Sequence, residues 1–334
     1  MYGQWKRVFV RKIKIGVTGT GSLIGQAIIK SIQRSPFKSN ISLIGFDYFD
    51  QTIGSSWIDK TFILPDFLKK EVKIESWLER IIEVIKKEDI RILLIGIDFE
   101  LTLFAKYKDV IESRTTCKVI VSDARVIDIA NDKYLTYRFL KDHNLHHPQT
   151  VLPEEMRGQS ISFPCIFKPR IGAGSKDVFI IHSLKELKQK LPAYPGHMIQ
   201  ELIGDESKEY TCGVICFDHQ VKELMVLQRE LKKGVTVSAC FHHKIPSSIR
   251  KYVGRVAEKL KPYGACNFQL RLDHQGTPKI FEINARHSGT TYIRSLFGFK
   301  EVEYVLAYLL GFKMKKFVLK EGKAIRYYEE ALVS

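Results

Sequence analysis

The chain has 334 residues, 45% of them hydrophobic, which is enough to bury two or three cores in a multi-domain protein. Its longest apolar stretches, such as residues 92–97, have strand length and fall far short of the ~20 residues a bilayer-spanning helix needs, so no membrane partner is expected. The formal charge of +16 favours anionic partners, but the basic residues are dispersed and no zinc finger or aromatic-interleaved basic stripe accompanies them. Nucleic acid is one such partner and a polyphosphate or carboxylate substrate another, but the pattern reads as a mostly solvated basic surface.

The first eleven residues are basic (Lys6, Arg7, Arg11), and no acid precedes Asp47, a composition that hints at a transit peptide. The first core strand is expected near Ile13, which leaves almost nothing to remove. Cys117, Cys165, Cys212, Cys216, Cys240 and Cys266 are scattered without a CxxC pair, and most have apolar neighbours. They read as buried thiols of a reducing, cytoplasmic setting rather than metal ligands.

Residues 13–122 alternate strand-like runs (14–18, 41–46, 92–97, 118–121) with amphipathic stretches (23–33, 76–87, 100–112), the pattern of a parallel sheet with helices on its faces. Between the first strand and helix lie Gly16, Gly19, Gly21 and Gly25, with Asp47 closing the next strand. Such glycines let backbone amides approach a phosphate at a helix N-terminus, and an acid at that place is where a dinucleotide fold holds ribose. The spacing is GxGxxxG, one residue longer than the dinucleotide fingerprint. A nicotinamide oxidoreductase and a domain whose loop holds no cofactor both remain open.

The pattern changes near Asp123. A helix is expected over 132–143, capped by Asn131 or Asp132, followed by strands at 165–168, 178–181, 198–202 and 211–217. A hairpin pairs 223–231 with 235–242 across Lys232-Lys233-Gly234, and a helix over 247–261 leads into a last hairpin turning at 273–276. This second half reads as α+β with mainly antiparallel pairing.

Three segments of that half carry chemistry. Lys168 precedes a glycine loop containing Gly172, Gly174 and Ser175 that runs from strand to strand, so a lysine can hold a nucleotide from the side while the loop folds over its phosphates. Gln200-Glu201-Leu202 offers an extended edge for an adenine, and Glu209 stands a few residues on for ribose hydroxyls. The last hairpin brings Gln269 near Glu282, and strand alternation puts Glu282, Asn284 and Arg286 on one face with Phe281, Ile283 and Ala285 on the other. One carboxylate and two amide oxygens suit magnesium; a solvated mixed-polar face is the alternative reading.

Taken in order, these pieces resemble the ATP-grasp superfamily. The resemblance rests on Lys133 on an early helix, Lys168 before its glycine loop, Glu201 at a hinge, Glu209, and the ExNxR run of Glu282, Asn284 and Arg286. Gln269 as first metal ligand is similar to the carbamoyl-phosphate synthase branch and its small carboxylate–amine ligase relatives. The resemblance implies a Rossmann-like domain (1–122) before the grasp, then two subdomains (123–196 and 197–334). It implies ATP bound by Lys133, Lys168, Gly172, Gly174, Ser175, Glu201, Leu202 and Glu209. It further implies magnesium, as two ions that manganese can replace, on Gln269, Glu282 and Asn284. Arg286 would stabilise the transferred phosphoryl group, while Arg229, Arg271 and Arg294, with His242 and His243, are candidates for clamping a substrate carboxylate. The implied activity is ADP-forming ligation of a small-molecule carboxylate to an amine, in an enzyme that is often a homodimer; a non-catalytic ATP-binding module is the other reading. One departure stands out: Asp177 occupies the place where the family's loop usually has glycine.

Overall fold

The computed structural model describes residues 12–157, 159, 161–172, 174, 176–205 and 208–332. The basic first eleven residues and Ser175 lie outside the described residues.

The N-terminal third folds as the alternation predicts. Strands β1 (Ile13–Thr18), β2 (Ile41–Asp47), β3 (Lys60–Ile63), β4 (Ile90–Leu94) and β5 (Lys118–Ile120) form a fully parallel sheet in the order β3-β2-β1-β4-β5. The connecting helices are α1 (Leu23–Gln33), α2 (Ile74–Glu88) and α3 (Leu101–Arg114). Helix α2 shows the helical period at its plainest: Trp77, Leu78, Ile81, Ile82 and Ile85 are all buried on one stripe. It ends at Asp89, whose left-handed φ of 53° lets its amide close the last turn on Ile85 and Lys86. Strand β3 is only four residues long and half-exposed, so it leaves little hydrophobic signal in the sequence.

Two antiparallel sheets follow helices α4 (Ala124–Asn131) and α5 (Lys133–Asp142). Asp132 caps α5 by accepting from the amides of Tyr134 and Leu135, which settles which of the two candidate caps is used. The smaller sheet contains β6 (Thr150–Val151), β7 (Cys165–Pro169), β8 (Phe179–Ile181) and β9 (His197–Glu201), in the order β6-β9-β7-β8, with α6 (Leu184–Lys190) on its flank. It has a core of its own: Cys165, Phe167, Ile181, Leu187 and Ile199. A division of the chain after residue 196 parts β9 from the strands it pairs with.

The larger sheet holds β10 (Glu209–Phe217), β11 (Gln220–Lys232), β12 (Val235–Phe241), β13 (Gly264–Leu272), β14 (Pro278–Asn284) and β15 (Gly322–Ile325), in the order β14-β13-β10-β11-β12-β15. Helix α7 (Ser247–Leu260) covers one face, and α8 (Thr291–Leu296) and α9 (Glu301–Leu309) follow the last hairpin. This sheet shares its core with the N-terminal domain. Phe46, Trp77 and Val126 join Cys212, Phe268 and Ile280 in one cluster, and Ile28 and Ile32 of α1 join Phe297, Val302 and Leu306 in a second. The small sheet thus stands against a larger body made of the other two. Among the described residues, no helix is long and apolar enough to cross a membrane. All six cysteines are free thiols, five of them buried.

Candidate active site

The cleft between the small and large sheets gathers most of the residues singled out above. Lys133, Lys168, Gly172, Gly174, Glu201, Leu202, Glu209, Arg229, Gln269, Arg271 and Glu282 line one cavity of about 190 Å³. They come from the first turn of α5, β7 and its loop, the end of β9 and the residue after it, and strands β10, β11, β13 and β14 of the large sheet.

Lys168 sits on β7 with only 6% of its surface exposed. Burial, and then the charge of Lys133, push its ammonium down to about 7, against the pull of Glu282. Its Nζ lies 5.3 Å from the centre of the Phe281 ring. Lys133 reaches across to the glycine loop, donating from Nζ to the Gly172 carbonyl at 2.7 Å. The loop is further tied by Arg170, whose guanidinium grips the capping carboxylate of Asp132. Asp177, in the place of the usual glycine, adopts φ 55°, so the turn survives the exchange. At its tip the loop meets the β11–β12 hairpin: a Cβ on Gly234 would lie 2.4 Å from the Gly174 carbonyl oxygen. The cavity is smaller than the 300–1,000 Å³ typical of ligand sites.

Glu209 opens β10 and is 3% exposed. Its Oε1 accepts from Arg229 Nη2 at 2.5 Å and its Oε2 from Arg271 Nη2 at 2.9 Å. The sequence offers Glu209 for ribose and the two arginines for a substrate carboxylate; in the structure, the carboxylate between the arginines is Glu209 itself. Strand pairing produces this, since Glu209 faces Arg229 on β11 and Arg271 on β13 in register. Sequence separations of 20 and 62 residues hide the pairing from local pattern reading.

A continuous chain of hydrogen bonds leads onward. Arg229 Nη2 donates to Gln269 Oε1 (2.6 Å), Gln269 Nε2 to Glu282 Oε1 (3.0 Å), and Asn284 Nδ2 to the same oxygen (2.9 Å). Arg286 Nη2 donates to Asn284 Oδ1 (2.9 Å), and its Nε to Asp98 Oδ1 (2.6 Å). Asn284 and Arg286 therefore lie just past the cavity and are joined to it through Glu282. Asp98 follows β4 of the N-terminal sheet, 188 residues away from Arg286, and nothing in its local sequence marks it for this role.

The hairpin pairs Gln269 with Glu282 as the turn at 273–276 predicts, but it holds a bulge. Gln269 faces Glu282 while Leu270 faces Ile280, so Phe281 is the extra residue. Strict alternation, which put Phe281 on the face opposite Glu282, is thereby corrected: Ile280 and Ile283 are buried and both Phe281 and Glu282 line the cavity. Among the described residues no three His, Cys, Asp or Glu side chains cluster as a metal site. The donor set is instead one carboxylate flanked by two side-chain amides on adjacent strands. Turning each amide about its last torsion presents oxygen in place of nitrogen beside Glu282, a set that fits a hard, oxygen-preferring cation.

Three candidates, Arg294, His242 and His243, do not line the cavity. Arg294 is 1% exposed and donates to Glu301 from Nε at 2.7 Å, beneath Ser288, Thr290 and Thr291. Burial opposes the Glu301 charge, yet Arg294 and His287 hold its carboxyl well below the usual range. Arg294 is therefore a buried structural ion, and the exposed His243 sits near Glu321 instead of in the cleft.

The N-terminal glycine loop is closed on itself. Ser22 Oγ accepts from the amides of Ile24 and Gly25 at the start of α1, where a phosphate would sit. Asp47 Oδ2 accepts from Thr20 Oγ1 (2.6 Å) and the Gly21 amide (2.9 Å), so the acid at the ribose position stitches the loop down. This arrangement removes the support for a dinucleotide.

Comparison with known proteins bears on the family and the fold. Residues 130–290 match the sequence pattern of an ATP-grasp domain. That segment, just under half of the chain, belongs to the ATP-grasp superfamily. The chain is 24% identical to a carbamoyl-phosphate synthase of Methanobrevibacter smithii over 290 residues, covering 81% of this chain and 74% of that protein. Over 117 residues it is 33% identical to the D-alanine–D-alanine ligase of Thermotoga maritima, covering 34% of this chain and 38% of the ligase. In fold it is similar to the biotin carboxylase domain of Hydrogenobacter thermophilus 2-oxoglutarate carboxylase, solved with MgADP, ADP and bicarbonate. The TM-score is 0.70 at 14% identity, covering 92% of this chain and 71% of that one. The parallel sheet followed by two antiparallel sheets is the ATP-grasp architecture. Superfamily members are ATP-dependent ligases and carboxylases that bind ATP with Mg2+ and act on small molecules.

Proposed function

We propose that this ATP-grasp protein is an ADP-forming carboxylate–amine ligase. The observation that carries the reading is the single cleft joining two lysines, a closing glycine loop and an oxygen-donor set built on Glu282. Ile166, Leu202 and Phe281 supply apolar surface for an adenine beside the β9 edge. Lys133 and Lys168 bring positive charge to the phosphates, and loop closure onto Gly234 excludes water from them. Glu282, with the amide oxygens of Gln269 and Asn284, would hold magnesium, which when bound neutralises the phosphate oxygens that repel an incoming carboxylate.

In the reaction proposed, a carboxylate oxygen attacks the γ-phosphorus and the bond to the bridging oxygen breaks, releasing ADP. An amine nitrogen then adds to the acyl carbon, phosphate leaves with the C–O electron pair, and the nitrogen proton passes to solvent. Arg286, hydrogen-bonded to Asn284 just past the cavity, would balance charge on the transferred phosphoryl group. No protein nucleophile is needed.

The test is ADP release from Mg·ATP with pooled amino acids, sugar acids and amines, comparing wild type with Glu282→Ala. Release that requires both an acid and an amine and vanishes in the folded variant is expected. A folded Glu282→Ala protein with full activity would overturn the metal assignment.

A further inference from the structure

A second cavity of about 480 Å³ opens at the C-terminal ends of β1, β2 and β4, within the size range of small-molecule sites. Its walls are Tyr48, Phe49, Leu68, Ile97 and Phe99, with Asp66 as a carboxylate among them. Three of these side chains are unusually open to water: Phe49 at 68%, Leu68 at 64% and Phe99 at 37% exposure. Single exposed apolar residues are ordinary, but three around one concavity mark a binding surface. The charge pattern is as informative. The chain carries 53 Lys and Arg against 37 Asp and Glu, yet among the described residues no Lys, Arg or His lines this cavity, whose charged groups there are Asp47 and Asp66. Asp47 is consumed by the glycine loop, while Asp66 uses one oxygen to accept from the Leu68 amide at 3.1 Å. A phosphate or carboxylate finds no partner here, whereas an ammonium does.

We propose that this cavity binds a small primary ammonium compound with an aromatic or branched aliphatic body, the body packing on Phe49, Leu68 and Phe99 and the ammonium facing Asp66. Its floor is rigid: Tyr48 packs against Phe67 and Phe99, Phe67 packs on Trp77, and Trp77 Nε1 donates to the Tyr48 hydroxyl at 3.1 Å. Phe99 follows Asp98, the partner of Arg286, so a ligand seated here lies beside the loop that holds the ExNxR arginine. The ligand's role as the amine substrate rests on the ligase reading; its binding does not.

Calorimetric titration separates the two. The probes are L-phenylalaninamide (phenyl and ammonium), glycinamide (ammonium only) and N-acetyl-L-phenylalaninamide (phenyl only), with Mg·ADP titrated into the same wild-type protein. L-phenylalaninamide is expected to bind at least tenfold more tightly than either partial probe. Phe49→Ser and Asp66→Asn, each with an unchanged thermal midpoint, are expected to weaken it fivefold or more. Equal binding of all three probes, no binding of L-phenylalaninamide, or variants that bind like wild type would overturn the proposal. Failure of Mg·ADP to bind while L-phenylalaninamide does so would count against the ligase reading and leave this site standing.

Discussion

Nucleotide affinity should fall steeply with pH above neutrality, because of Lys168. Burial and the adjacent Lys133 hold its ammonium near 7, with Arg271 acting in the same direction and Glu282 and Glu209 against it. Bound phosphates favour the charged form, so the pKa rises in the complex. A group whose pKa rises on binding takes up a proton between its two values; affinity is therefore flat below about 7 and declines above it. Each pH unit costs about tenfold, or ~1.4 kcal/mol. With the bound ammonium still charged at pH 9, affinity is expected to drop about fiftyfold between pH 7 and pH 9. Calorimetric titration of Mg·ADP at pH 7, 8 and 9, beyond the phosphate's own ionisation near pH 6, gives the affinities. Repeating it in two buffers of different ionisation heat counts the proton. Lys168→Arg keeps its charge throughout and should flatten the profile. A wild-type affinity independent of pH with no proton uptake, or the same slope in Lys168→Arg, would refute the reasoning.

Other outcomes follow from single contacts. Gly234→Ala places a methyl group against the Gly174 carbonyl at a position with φ +74°, so Mg·ADP should dissociate about five- to tenfold faster in a stopped-flow displacement experiment, roughly 1 kcal/mol of lost closure. An unchanged off-rate would mean the contact does not seal the cleft. Glu100 is fully buried; desolvation lifts its carboxyl to about 7 despite hydrogen bonds from Thr18 and Tyr48. Because the folded value is raised, this stability is complete below about 4.5 and is lost as pH rises to 7, on the order of 3 kcal/mol. Glu100→Gln should flatten the pH dependence of the urea midpoint across that window, and a profile identical to wild type would contradict the assignment. Asp98 is 39% exposed, so Asp98→Asn should shift the melting temperature little while lowering kcat several-fold at constant KM for ATP, through a less firmly positioned Arg286. A pure change in stability would show the pair to be structural only.

Much of the fold was legible because its signals are local. The 23–33 stretch is helical over the residues its apolar spacing marks, Asp132 caps the helix it precedes, and the turn at 273–276 sets Gln269 against Glu282. What the pattern missed depends on distant partners. The bulge at Phe281 breaks a period of two that looks unbroken in sequence, and only the register with β13 reveals it. Glu209 and Asp98 acquire their roles from arginines 20 to 188 residues away. Helices α8 and α9 are short, and they hold buried Arg294, Glu301 and Glu303, charges that blur the apolar stripe by which helices are recognised. The glycine loop after β1 misleads for a related reason: its residues suit a phosphate, but Ser22 and Asp47 already occupy the donors.

The central claim is transfer of oxygen from a carboxylate to phosphate in the cleft built on Lys168 and Glu282. Its most direct test is to supply pooled carboxylic acids labelled with oxygen-18, together with amines and Mg·ATP, and to weigh the phosphate released. One labelled oxygen per phosphate, absent from the Glu282→Ala protein, is the result expected of an acyl phosphate. Phosphate released by wild type without label would contradict it.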